Sequence, residues 1–138
     1  LLFQEIREKQ GLCYDISMTC DTMTGLAFVQ TGVAGKDAKH TASEICRILQ
    51  NVADHGIKND NFQDAVEQIR RKISDISDSQ WKIMDYVAEQ EIIGTNLDSE
   101  QMLRRLADVT VEDVVKAAQK LSLRTMYALT GEEEFSWD

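Results

Sequence analysis

The sequence contains no proline in 138 residues, an absence typical of a chain built largely from long helices. It also lacks any run of ~18 consecutive apolar residues, so the sequence predicts no membrane-spanning helix. Hydrophobic residues make up 43% of the chain and charged residues 28%, which is ordinary for a soluble globular protein. A chain of this length can bury a substantial core. We therefore expect a soluble α-helix-rich protein.

Excess positive charge is missing as well, since the net charge is −9. A nucleic-acid or anionic-membrane partner would call for a basic face, so neither is expected. The one basic cluster, Arg70-Arg71-Lys72, is flanked by Glu67 and Asp75. Glu67 and Arg71 stand four residues apart, which is typical of a solvated helical face with internal ion pairs.

Cysteine and histidine are both scarce. The three cysteines, Cys13, Cys20 and Cys46, form no C-x-x-C pair, so we expect free thiols in a reducing compartment and a cytoplasmic protein. Cys13 and Cys20 are expected on opposite faces of one strand. His40 and His55 lie 15 residues apart, which is not a metal-ligand spacing. The sequence thus predicts no metal or cofactor site of its own.

The first stretch, Leu1 to Met18, predicts the end of a helix followed by a strand. Leu2, Phe3 and Ile6 share one helical face, and Gly11 can end the helix. From residue 12 to 20 the alternation of apolar and polar residues predicts a half-buried strand, in which Tyr14 falls in phase with Ile16. A second strand is predicted over residues 26–33, with both faces largely apolar and a more central position.

Further elements follow from helical periodicity and capping residues. Helices are predicted over 37–55, from a cap at Asn59 or Asp60, through Trp81 to Gly94, from Asp98 with Gln101, and from Thr110 with Asp113. A last strand over 123–129 is predicted to return to the sheet. The fold class is α+β: a mainly antiparallel sheet with helices on one face.

Residues 1–131 are predicted to form a single α+β domain fragment, followed by an acidic tail over 132–138. Because the sequence begins inside a helical pattern, we expect a fragment truncated at its N-terminus. If strands that precede Leu1 are missing, the sheet has an unpaired edge through which two copies could form a homodimer.

Arg7 and Tyr14 are the candidate site residues. Arg7 has Phe3, Gln4 and Gln10 among its helical neighbours and no carboxylate, so its guanidinium is free for a partner elsewhere. Two simpler interpretations stay open from the residues alone. The arginine would be solvated, and the tyrosine would be a core residue with its hydroxyl at the rim.

The segment LFQEIREKQGLCYDIS resembles the Arg/Tyr segment of pitrilysin/insulinase-type zinc metallopeptidases, the group that includes mitochondrial processing peptidase. The matching residues are Leu2, Phe3, Arg7, Glu8, Gly11, Leu12 and Tyr14. The likeness continues through a hairpin, paired long helices and a Val-Thr-x-Glu-Asp-Val step, and so covers nearly the whole chain.

The resemblance implies a half-unit of the metallohydrolase type from the C-terminal, metal-free half of a peptidase. In that family Arg7 and Tyr14 would donate to a peptide substrate held at the zinc of the other half. The H-x-x-E-H zinc motif is absent from this sequence, so the chain would not be active alone.

Two alternatives remain. Members of the same family also act as non-catalytic subunits or scaffolds that bind peptide or a partner protein. The chain could also belong to the zinc-bearing half itself, because the two halves are related.

Overall fold

The computed structural model describes residues 1–131 and 135–137. The chain begins with a π-helix, Phe3–Lys9, followed by strands β1, Asp15–Asp21, and β2, Leu26–Gly32. A short 3₁₀ turn, Gly35–Asp37, leads into α1, Ala38–His55. The remaining helices are α2, Asn59–Ser74, a 3₁₀ turn, Asp75–Asp78, α3, Gln80–Ile93, α4, Ser99–Ala107, and α5, Val111–Gln119. The α+β fold class predicted from the sequence is confirmed.

The chain divides into two compact units. The first comprises Leu1–His55 together with the described residues from Val115 onward, and the second comprises Gly56–Val114. The prediction of a single domain over residues 1–131 stays a prediction. Of the predicted acidic tail, residues 132–134 and 138 lie outside the described residues.

The first unit is built around a small core beneath the hairpin. Its buried members are Ile6, Cys13, Ile16 and Ile48, and partly buried neighbours pack against them: Leu2, Leu12, Val29, Val33 and Ile45. Ile6 is completely buried, which fixes the π-helix against this core. The π-helix and α1 therefore hold the segment that precedes β1.

The hairpin has one antiparallel register, from Asp15 opposite Gly32 to Asp21 opposite Leu26. Ile16 and Val29 lie on the face that packs on the core. Phe28 lies on the opposite face and is 51% exposed. In the part of the chain that the structure describes, the sheet has only these two strands, so each strand has an open edge.

The second unit is helical. Its buried apolar residues are Ile73 of α2 and Leu106 of α4. Asp98 begins α4 with the predicted capping box, since its carboxylate accepts from the Gln101 backbone N–H at 2.7 Å and the Gln101 side chain accepts from the Asp98 N–H at 3.0 Å. The Tyr86 hydroxyl donates to the Leu97 carbonyl and is partly buried, which raises its pKa.

Three local predictions were wrong. The segment 123–129 is not a strand, and Tyr127 and Leu129 are 81% and 87% exposed, because no neighbouring strand pairs with it among the described residues. Within the described residues β2 is no more central than β1, since each of the two strands pairs with the other alone. The residue before α2 is Lys58, which makes no side-chain cap, and Asn59 is already helical.

The sequence predicted no membrane-spanning helix. No helix within residues 1–131 and 135–137 is long and apolar enough to cross a bilayer.

Candidate functional site

The candidate site is the turn that joins the π-helix to β1. The helix ends where the backbone N–H groups of Gly11 and Leu12 donate to the carbonyls of Arg7 and Ile6, each at 3.1 Å. Gly11 has φ +64°, a left-handed conformation that L side chains disfavour. Along the chain, Arg7 lies before this turn, on the π-helix, and Tyr14 lies after it, just before β1.

Arg7 lies exposed on the π-helix. Its Cζ stands 4.8 Å from the centroid of the Phe3 ring, a cation–π contact that restricts the guanidinium. Glu5, on the same helix, pairs with Lys9 at 2.7 Å. Arg7 makes no ion pair among the described residues, in agreement with the prediction that no carboxylate of its own helix reaches it. Its planar donors are therefore available to a bound group.

Tyr14 points into solvent, with 80% of the residue exposed. Its backbone N–H donates to the Gly32 carbonyl at 3.0 Å, which ties the residue to the end of β2. The rim-of-core interpretation is therefore wrong. Regular β1 begins only at Asp15, so the predicted alternation does not extend back to residue 12, and Cys13 is the residue that turns inward.

Glu44 on α1 accepts hydrogen bonds that connect this turn to the helix. The Gln10 side-chain amide donates to Glu44 at 3.1 Å, and Arg47 donates to both oxygens of the same carboxylate at 2.9 and 2.8 Å. These bonds, first from Arg47 and then from Gln10, lower the pKa of Glu44 to about 2. Sequence reasoning missed this contact because Gln10 and Glu44 are 34 positions apart and no local pattern links them.

The histidines, cysteines and carboxylates are the side chains that could bind a metal ion. No group of three or more His, Cys, Asp or Glu side chains that could hold a metal ion occurs within the described residues. His40 and His55 are both exposed and lie at opposite ends of α1. The side chains in the described part of the chain do not fit a zinc ion.

A separate open cavity of about 480 Å³ lies on α1 in the first unit. Its lining combines one side of α1 with two later side chains: Lys39, Ala42, Ser43, Cys46, Met126 and Trp137. Among the described residues, the lining contains a thiol, a hydroxyl and one lysine but no histidine or carboxylate. Arg7 and Tyr14 do not line it.

A family model matches the part of the sequence that forms this site. The model of the family described as the peptidase M16 inactive domain matches residues 1–69, which include the π-helix, the hairpin and α1. The match therefore contains both candidate residues and the Glu44 group.

Two curated bacterial proteins are similar to the chain. One, from Bacillus subtilis, is named "Probable inactive metalloprotease YmfF" and is 26% identical over 132 residues, which are 96% of this chain and 31% of that protein. The other, from Streptomyces coelicolor, is named an uncharacterized zinc protease and is 32% identical over 122 residues, which are 86% of this chain and 26% of that protein. The chain thus spans about a third or less of these relatives.

A solved structure of a conserved protein from Enterococcus faecalis superposes on the chain with a TM-score of 0.76 and 25% identity. The superposition covers 85% of this chain and 28% of that one. The family match of residues 1–69 and the two curated relatives confirm the resemblance found from the Arg/Tyr segment. The chain belongs to the peptidase M16 family, with a match to the domain described as inactive.

Proposed function

We propose that this chain is the peptide-binding, metal-free portion of a zinc-dependent peptidase, and that Arg7 and Tyr14 are its contribution to catalysis. The observation that carries the proposal is the exposure of both side chains on either side of the Gly11 turn, with Arg7 lacking a carboxylate partner among the described residues. Membership of the peptidase M16 family supports the substrate class.

The chemistry of the two side chains suits a peptide carbonyl. The guanidinium is a permanent cation with several planar donors, and the phenol supplies one O–H donor. Donors of this kind stabilise the negative charge that develops on a carbonyl oxygen when water attacks it. Arg7 and Tyr14 would bind the substrate carbonyl and hold its oxygen, and neither would act as nucleophile or base.

The zinc would come from a separate half, on the same polypeptide or on a partner subunit. Its chemistry there would be the activation of water for hydrolysis. In this proposal the chain supplies no metal ligand, since its described residues form no group of three or more side chains that could hold a metal ion. Separating the donors from the metal would make hydrolysis depend on closure of the two halves around the peptide.

A non-catalytic role is the second candidate. It is favoured by the name of the Bacillus subtilis relative, which describes that protein as a probable inactive metalloprotease. In this role Arg7 and Tyr14 would clamp a peptide or a partner protein without taking part in hydrolysis.

Steady-state kinetics of single variants test the first role against the second. In an active assembly with the zinc-bearing half, Arg7→Ala and Tyr14→Phe should each lower kcat, by ~10²-fold where an oxyanion donor is lost. A change in KM alone would show uniform binding and no transition-state role. An assembly that binds peptide but turns over none, with zinc present, would establish the scaffold role.

A further inference from the structure

Helix α1 holds the candidate turn at two points, one on each side of Arg7 in the sequence. Before Arg7, Ile6 is completely buried in a core cluster that includes Ile48 of α1. After Arg7, the side-chain amide of Gln10 donates to Glu44 of α1 at 3.1 Å. Glu44 and Ile48 are four residues apart on α1, so both contacts are made by the same face of the helix. The backbone that carries Arg7 is therefore bracketed by two contacts with one element.

The contact between Gln10 and Glu44 is directional, and Arg47 gives it its direction. Arg47 donates to both oxygens of the Glu44 carboxylate, from Nε at 2.9 Å and from Nη2 at 2.8 Å. This pair of bonds fixes the plane of the carboxylate. Glu44 Oε2 accepts from Arg47 and from Gln10 at once, and the Glu44 side chain is only 16% exposed. Arg47 thus orients Glu44, and Glu44 orients Gln10.

Gln10 is connected in turn to the two candidate residues through the backbone. Its own N–H donates to the Arg7 carbonyl, and the Gly11 N–H donates to the same carbonyl at 3.1 Å. Beyond Gly11, the Tyr14 N–H donates to the Gly32 carbonyl at 3.0 Å, which holds Tyr14 to β2. A shift of Gln10 would therefore move Arg7 relative to Tyr14.

We propose that Glu44 is a positioning residue for peptide hydrolysis, because its bond to Gln10 sets the position of the Arg7 donors relative to the Tyr14 hydroxyl. The inference rests on the proposed function, in which both side chains hold one substrate carbonyl oxygen. Such donors act only when they lie within hydrogen-bonding distance of the developing oxyanion. A misplacement of about 1 Å can cost ~10²-fold in rate. Glu44 contacts no substrate itself and acts through Gln10.

A loss of stability is the rival explanation for any effect of a Glu44 variant on turnover. A smaller folded fraction lowers turnover by the same factor whether or not Arg7 and Tyr14 are present. A positioning residue behaves differently, because its effect disappears once the side chains that it positions have been removed. Non-additivity between the two sets of substitutions therefore separates the two explanations.

The test is steady-state kinetics of the complete assembly that contains this chain, with zinc present. Glu44→Ala removes the acceptor of Gln10 and should lower kcat by ~10-fold or more. KM should change by less than ~2-fold, as expected where an interaction made only in the transition state is weakened. In the background Arg7→Ala/Tyr14→Phe, the same substitution should change kcat by less than ~2-fold. Glu100→Ala, which removes an exposed carboxylate from an ion pair in the second unit, should leave kcat unchanged.

A second cycle tests the hydrogen bond itself. Gln10→Ala removes the donor and should lower kcat by about the same factor as Glu44→Ala. The double variant Gln10→Ala/Glu44→Ala should lose no more than either single variant, because all three lack the same bond. Circular dichroism checks that each variant is folded. If Glu44→Ala does not fold, Gln10→Ala, at an exposed residue, replaces it in the first cycle.

The outcomes distinguish a failure of this inference from a failure of the proposed function. Normal kcat in Glu44→Ala, in an assembly where Arg7→Ala/Tyr14→Phe loses turnover, would overturn the inference and leave the proposed function standing. An equal loss from Glu44→Ala with and without the two donor side chains would overturn it too, since it would show an effect on stability. An assembly that cleaves no peptide, or that is indifferent to Arg7→Ala/Tyr14→Phe, would overturn both.

Discussion

Glu44 shows how a single carboxylate can hold the candidate site in place. It receives Gln10 from the end of the π-helix and Arg47 from its own helix, and its side chain is 16% exposed. Gln10 immediately precedes the Gly11 turn, so this bond fixes the point at which the chain reverses between Arg7 and Tyr14. The positions of Arg7 and Tyr14 therefore depend on Glu44, which lies on α1 and belongs to neither β1 nor the turn.

The stability of the protein should depend on pH through Glu44. Its pKa in the folded protein is about 2, below the ordinary value of 4.5, because Arg47 and Gln10 donate to the ionised form. A lowered pKa stabilises the fold fully above pH 4.5, and this contribution is lost as the pH falls from there towards 2. Urea titrations should show Glu44→Gln less stable at pH 7 and the difference narrowing with acid.

Glu100→Gln is the matched control, because Glu100 pairs with Arg104 at 2.6 Å while its side chain is 74% exposed. Exposed pairs contribute little, so this variant should unfold close to the unmodified chain at every pH. A Glu44→Gln variant whose deficit stays constant from pH 7 to acid would contradict the assigned role of the carboxylate.

Single-residue predictions from the sequence succeeded where the cause is local. The absence of a carboxylate near Arg7 follows from its helical neighbours and is confirmed among the described residues. The inward position of Cys13 and the outward position of Tyr14 could not be predicted. They depend on where the strand becomes regular, and tertiary contacts with Ile6 and Ile48 determine this.

At the scale of elements, the Gly11 turn is the junction on which the candidate site depends. Gly11→Ala should lower the free energy of unfolding by ~1 kcal/mol, because the alanine must keep φ near +64°. A Cβ at this position would meet nothing within 4 Å, so the cost is in the backbone alone. Gly131→Ala, also in open space but without a positive φ, should be neutral in the same denaturation experiment. Equal effects at both glycines would refute the argument.

The start of α4 depends on the Asp98 capping box. Asp98→Ala should destabilise the protein by ~1 kcal/mol, since the Gln101 backbone N–H loses its acceptor. Asp98→Asn keeps an acceptor of similar geometry and should retain most of the stability. Amide hydrogen exchange of α4 measures how far each of the two variants destabilises the helix. Unchanged protection in Asp98→Ala would show that the cap is dispensable.

The ends of α1 and α3 and the starts of α4 and α5 were predicted well, because the periodicity and the capping residues that determine them lie close together in the sequence. α1 ends at His55 and α3 ends before Gly94 as predicted, and Thr110 and Asp113 form the second capping pair. The strand expected over 123–129 was wrong because a strand requires a partner. Its alternating pattern is present, but no strand within residues 1–131 and 135–137 pairs with it.

At the scale of the whole molecule, the first unit is organised by one small core. Ile6 is 0% exposed, and Ile6→Ala should destabilise the protein by ~2–5 kcal/mol through lost burial and a cavity. Ile69→Ala on α2 is the matched change at a residue that is 45% exposed and should cost much less. Chemical denaturation compares them, and a cost for Ile6→Ala no larger than for Ile69→Ala would contradict the assigned core.

The family was predictable because its signature lies in one short segment, Leu2 to Tyr14, within a chain that is 26% and 32% identical to its two curated relatives. Catalytic competence, in our proposal, is a property of a larger assembly. The chain spans only 31% and 26% of these relatives, so the zinc would be supplied by a part of that assembly that this sequence does not contain.

The central claim is that Arg7 and Tyr14 serve peptide hydrolysis. The most direct measurement is zinc-dependent peptide turnover by the complete assembly that contains this chain. The double variant Arg7→Ala/Tyr14→Phe is compared with the control Arg124→Ala/Tyr127→Phe, the same two changes at exposed residues outside the site. We predict a loss of ~10²-fold or more in kcat for the first and none for the control. Equal turnover by both variants, in an assembly that cleaves peptide, would contradict the account.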